Sequence, residues 1–209
     1  KICKTDYKPF NYYGDKSSDA VIIAMGSVCE CIKEVVDDLN KKGKKVGLVT
    51  VHLYRPFSNS YLSSIIPSSV NKIAVIDRTK EAGSSGEPLY LDVVNALKDR
   101  DIKIIGGRYG LSSKNTTPAM IKSVYDNLSG DMKSNFTIGI NDDVTNLSLD
   151  IDNSYRLDNN NYEMLIYGYG SDGMVSTSKD ILRIIGDNTK KYVQGYFQYD
   201  SKKSGGVTR

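Results

Sequence analysis

The sequence predicts an α/β protein: a mostly parallel, doubly wound sheet, then a linker and a truncated second α/β unit. Three observations carry this. Strand-length apolar runs alternate with amphipathic helical segments from residue 20 to 140. An Asn/Asp-rich stretch then interrupts the pattern at 141–162, and the alternation restarts at Glu163. The expected division is therefore 1–140 as one domain, 141–162 as an interdomain linker, and 163–209 as the start of a further domain.

Ala20–Met25 is continuously apolar, as a strand covered on both faces must be. Ser27 and Glu30 stand at capping-box spacing at the start of a helix. Val28, Ile32, Val35, Val36 and Leu39 fall on one face of that helix, and Gly43 ends it. Lys45–Val51 and Lys72–Asp77 read as further strands. Glu87–Arg100 reads as a helix with Leu89, Val93, Val94 and Leu97 inward. Lys103–Gly107 is a short strand. Thr117-Pro118 opens another helix in the favoured N-cap and N1 order, with Met120, Ile121, Val124 and Leu128 inward. Phe136–Ile140 closes the series. Beyond the linker, Glu163–Tyr167 and Tyr192–Tyr199 read as strands flanking a helix that reaches about Ile185.

Composition excludes several classes of protein. Of the 209 residues, 39% are hydrophobic and 25% charged, and the net charge is only +3. The charges are mixed along the chain, which argues against nucleic-acid binding. The run Lys41-Lys42, Lys44-Lys45 suits a helix C-terminus. No apolar run approaches the roughly 20 residues that span a bilayer, and no signal-peptide core is present, so a cytoplasmic location is expected. Three cysteines, Cys3, Cys29 and Cys31, make no disulfide framework and no cluster motif. Cys29 and Cys31 would point apart around their helix. His52 has no second histidine with which to build a metal site.

The carboxyl ends of parallel strands are where ligands or partners meet such sheets. Arg55, Arg78, Lys80 and Arg108 fall there. They suit either an anion or the acidic residues of a neighbouring domain, and without a phosphate fingerprint the domain contact is the favoured reading. The clearest ligand motif lies later, at Gly168-Tyr169-Gly170-Ser171-Asp172-Gly173, which matches G-x-G-x-x-G between an expected strand and an expected helix. Its glycines let an anion approach the backbone, and the helix start favours phosphate. Asp200, closing the next expected strand, makes a dinucleotide the first candidate. Lys202-Lys203 and Gly205-Gly206 follow directly and suit a ligand with several phosphates. A turn that serves only chain reversal stays open as well.

Several longer motifs together resemble one family. They are Val21–Cys29, Leu53–Phe57, Asp77–Glu81 with Gly86–Tyr90, Gly106–Lys114, Gly139–Thr145, and Gln194–Phe197 with Tyr199–Thr208. In this order they resemble the middle of pyruvate:ferredoxin (flavodoxin) oxidoreductases, over essentially the whole chain. The resemblance implies oxidative decarboxylation of pyruvate to acetyl-CoA, with electrons passing to ferredoxin or flavodoxin, or to a fused NADP reductase. It implies thiamine diphosphate and iron–sulfur clusters elsewhere in the enzyme, and a homodimer at full length. Residues 1–140 would correspond to a domain akin to the C-terminal domain of transketolase. Residues from about 163 would begin a domain that takes part in coenzyme A binding. Gly170, Ser171, Asp172, Gly173 and Met174, with Lys202 and Lys203, would carry the coenzyme A contacts, displacing the nicotinamide reading. No catalytic residue and no metal ligand is expected in this chain, and alone it should be inactive. The alternative is an independent nucleotide-binding or protein-interaction module.

Overall fold

A computed structural model describes residues 8–142, 144–158, 161–170 and 172–197. Its elements run β1 (Phe10–Gly14), β2 (Ala20–Met25), α1 (Val28–Lys41), β3 (Val46–Val51), α2 (Asn59–Ile65) and β4 (Lys72–Asp77). They continue with α3 (Pro88–Ala96), β5 (Lys103–Arg108), α4 (Pro118–Ser129), β6 (Phe136–Thr137) and α5 (Met174–Asn188), with a 3-10 turn at Leu111–Ser113. The chain divides into two compact units, 1–158 and 159–209.

The first unit is a six-stranded sheet in the order β1-β3-β2-β4-β5-β6. Neighbours from β3 to β6 are parallel, and β1 joins the β3 edge antiparallel. The fold class is the one the alternation of apolar runs predicts. Side chains alternate between the two faces, as the strand period of two requires. Ala20, Ile22 and Ala24 of β2 meet a core built with α1 and α4. Val21 and Ile23 meet the opposite core, to which Leu62 of α2 and Leu89 and Val93 of α3 belong.

Helix α1 buries Val28, Cys29, Ile32, Val35, Val36 and Leu39, the stripe read from spacing plus one cysteine. It ends where Gly43 takes φ +83°, letting the N–H of Lys44 reach the carbonyl of Leu39. That left-handed C-terminal geometry favours glycine. The Asn40 amide then exchanges two 3.0 Å bonds with the backbone of Val46, tying the helix end to β3. At β5, a Cβ on Gly107 would overlap the Phe136 ring, so only glycine admits that ring.

Several expectations need correction. Ser27 is itself helical in conformation and makes no side-chain cap bond, so no capping box forms at α1. Val94 and Met120 are half-buried rather than fully inward. Helix α3 starts at Pro88 and ends at Ala96, short of Arg100. Strand β6 is two residues long, because beyond Thr137 the chain turns to meet residues 147–149. The polar stretch from 141 is placed with the first unit up to 158, and its Leu149, Ile151 and Leu157 pack against the α1–α4 core.

The second unit contains α5, on which no residue is buried. Neither Glu163–Tyr167 nor the described part of Tyr192–Tyr199 forms a strand. A strand needs a neighbour to take its N–H and C=O groups, and no ladder partner for either segment lies among the described residues. Packing within this unit is local: Met174 lies against Gly168, Val193 against Gly186 and Leu182 against Gly195. Met164, Leu165, Tyr167, Tyr192 and Tyr196 remain exposed.

Candidate functional site

The strand order reverses between β2 and β4, the topological switch point where open α/β sheets usually hold ligands. Here a tyrosine reaches across it. Tyr109, just past β5, is buried and donates its O–H to the carbonyl of Met25 at 3.3 Å, reaching across the end of β4. Burial raises the Tyr109 phenol, with Cys29 and Asp77 adding to the shift, so it remains a neutral donor. The adjacent loops are clasped to each other through Arg78 Nε and the carbonyl of Gly110, 3.5 Å apart.

The four cations expected at this edge do not converge on a common point. Arg55 pairs with Asp92 at 2.8 Å and lies over the Tyr54 ring at 3.8 Å. Arg108 pairs with Glu87 at 2.6 Å and also donates to the carbonyl of Asn135. Arg78 and Lys80 are exposed. The acidic partners of Arg108 and Arg55, Glu87 at the N-cap of α3 and Asp92 within it, were missed as such in the sequence. A signal was available for Glu87, which directly precedes Pro88 at the helix start, where the dipole favours carboxylates.

Among the described residues no group of three or more His, Cys, Asp or Glu side chains could hold a metal. His52 is exposed and lines a shallow depression of about 520 Å³ with Lys8, Pro9 and Leu53. Cys29 is buried and Cys31 half-buried, both as free thiols. No described helix is long and apolar enough to cross a membrane.

In the second unit Gly170, Asp172, Gly173 and Met174 form the turn that leads into α5, and Gly170 and Gly173 both take positive φ. Helix α5 follows the turn as expected, but the preceding segment is not a strand. The turn already holds an anion of its own. The Asp172 carboxylate accepts from the N–H of Tyr169 at 2.5 Å and of Met174 at 3.0 Å. Those N–H groups, Met174's first, hold its carboxyl below the ordinary carboxylate range. An aspartate accepting from the backbone two residues on is a recurrent turn pattern, so this closure was legible in the Asp172–Met174 spacing. Ser171, Lys202, Lys203 and Asp200 lie outside the described residues.

Residues 18–121 match the model of the pyruvate:ferredoxin oxidoreductase core domain II. That defines the class: a core domain of the pyruvate:ferredoxin oxidoreductase kind, on a mostly parallel α/β sheet. The chain is 51% identical to pyruvate-flavodoxin oxidoreductase of Trichormus variabilis and 53% identical to that of Enterobacter agglomerans, each over 97% of this chain. It is 50% identical, over 97% of its length, to the pyruvate:ferredoxin oxidoreductase of Moorella thermoacetica. The chain belongs to the pyruvate:ferredoxin (flavodoxin) oxidoreductase family. It spans 18% of the length of these curated relatives.

Proposed function

We propose that this chain is part of an enzyme that oxidatively decarboxylates pyruvate to acetyl-CoA and passes the electrons to ferredoxin or flavodoxin. In this reading residues 1–158 are a scaffold and residues from about 163 supply part of a coenzyme A site. Near-half identity across both units carries the proposal, since it extends well past the matched core domain. Thiamine diphosphate and the iron–sulfur clusters would reside in the remaining domains, which are the chain's immediate partners in a cytoplasmic homodimer. The exposed aromatic and aliphatic side chains of the second unit support its completion by further structure.

Coenzyme A would supply the thiol that receives the acetyl group. This chain's own residues would bind and orient its phosphates. The Gly170–Met174 turn fits an anion in kind, because its N–H groups already hold a carboxylate. A phosphate there has to displace Asp172 or sit beside it, so Lys202 and Lys203 are assigned most of the attraction. Ser171 would add a hydroxyl donor.

The alternative is an independent nucleotide-binding or protein-interaction module; the Tyr109 bond to Met25 speaks against a nucleotide only at the switch point of the first unit. Calorimetric titration separates the two readings. Coenzyme A, and not NAD, is expected to bind the full-length enzyme through this unit. The isolated chain is expected to show no pyruvate-dependent dye reduction. Reduction by the pure chain, or NAD binding in place of coenzyme A, would overturn the proposal.

A further inference from the structure

After β6 the chain doubles back as a strap. Asp142 gathers the N–H groups of Val144, Thr145 and Leu147 and the Thr145 hydroxyl, closing a turn. Ser148 Oγ accepts from the N–H of Asp142 at 2.7 Å and donates to the carbonyl of Ile140 at 3.0 Å. The backbone then makes a single parallel bridge to the sheet edge, Thr137 N–H to Leu147 at 3.0 Å and Leu149 N–H to Thr137 at 3.1 Å. From Leu149 the strap packs against the α1–α4 core, to which half-buried Cys31 and Met120 also belong, and Tyr155 lies near Cys31.

Its attachment there is concentrated in one side chain. Leu149, Ile151 and Leu157 are half-buried, and Tyr155 is the one buried residue among those described between 141 and 158. The Tyr155 O–H donates to Asp38 of α1 at 2.5 Å. Two ammonium groups lie over its ring, Lys42 of α1 at 5.2 Å and Lys122 of α4 at 5.6 Å from its centre. Segments held by few buried contacts open well below the free energy of global unfolding.

We propose that residues 144–158 are a reversible strap latched by Tyr155, whose opening uncovers Cys31 and the α1–α4 face while the sheet stays folded. This rests on the first unit alone and is independent of the coenzyme A assignment. Burial, with Glu34 adding, pushes the Cys31 thiol up to about 11, so it is protonated in the latched state. Cys29, buried on the same helix, serves as an internal control, because only unfolding of the sheet exposes it.

The test uses the whole chain carrying Cys3→Ser, labelled with a maleimide over time and read peptide by peptide. Tyr155→Phe keeps the ring and loses the bond to Asp38, so Cys31 should react roughly tenfold faster. Tyr155→Ala should accelerate it by roughly a hundredfold, with Cys29 unchanged in both. Asp38→Asn gives a second route to the same loss if the alanine variant does not fold. Unchanged Cys31 labelling in Tyr155→Phe and Asp38→Asn would overturn the proposal. So would equal acceleration of Cys29 and Cys31, which would mean that the strap opens only with the sheet.

Discussion

Asp77, the last residue of β4, caps helix α3 from outside the helix: its carboxylate accepts from the N–H of Leu89 at 3.1 Å and of Tyr90 at 3.2 Å. Glu87, which holds the N-cap position, makes no such bond. The first turn of α3 is thereby fixed to the carboxyl end of the sheet, and with it the loop that carries Arg78 and Lys80. Asp77→Ala is expected to cost about 1–2 kcal/mol, the usual worth of an N-cap, read as a lower urea midpoint with an unchanged slope.

Most of this unit was legible because its strands are buried on both faces and therefore continuously apolar. Strand β1 was not, since Phe10-Asn11-Tyr12-Tyr13-Gly14 is an edge strand with half-exposed positions and no apolar run. Helix α2 is seven residues long with Leu62 as its buried side chain, too little for a periodic signal. The cap of α3 could not be read either, because Asp77 and Leu89 are brought together by the tertiary fold. In the candidate site the positions of the turn were legible from glycine spacing. Its occupation by Asp172 was overlooked in favour of an external anion.

Arg108 and Glu87 form the most enclosed ion pair described, with Glu87 1% exposed and its second carboxylate oxygen without a hydrogen-bond partner. Arg108→Ala leaves that carboxylate buried and uncompensated, which is expected to cost roughly 3–5 kcal/mol. Pairing it with Glu87→Gln should recover much of the loss. A chemical-denaturation cycle over the four variants checks this, and additive losses would contradict it.

Acid should release the strap before it unfolds the sheet. Burial alone would raise the Asp38 carboxyl, but bonds from Lys42 and Tyr155 and the charges of Lys42 and Lys41 hold it below its ordinary value. Lys122 and Asp126 of α4 also lie near Tyr155. Asp142 is held at about 2, chiefly by the Thr145 hydroxyl. Both carboxyls are depressed in the folded state. Their contribution is therefore present above the unfolded value of about 3.9 and lost as pH falls through the folded values. Pepsin digestion between about pH 4 and 2 should cut first within 144–158. First cuts inside 20–138 would contradict this.

On the proposed reading, Asp172 would compete with a phosphate at the glycine turn. Asp172→Ala frees two N–H donors and removes a like charge at the start of α5. Apparent coenzyme A affinity of the full-length enzyme is then expected to rise by about two- to fivefold, the effect of one charge at a helix terminus. Weaker binding would mean that Asp172 is needed to shape the turn.

If the second unit carries coenzyme A phosphate contacts, Lys202 and Lys203 should supply most of the attraction. Both lysines are changed to Ala in the full-length enzyme, and coenzyme A affinity is measured at moderate salt. Each lost charge-assisted contact should weaken binding by roughly 1.5–3 kcal/mol, about ten- to a hundredfold. Pyruvate decarboxylation without coenzyme A should persist, because the groups that perform it are assigned to other domains. Unchanged coenzyme A affinity would contradict the account and leave the Gly168–Gly173 turn with only the role of reversing the chain.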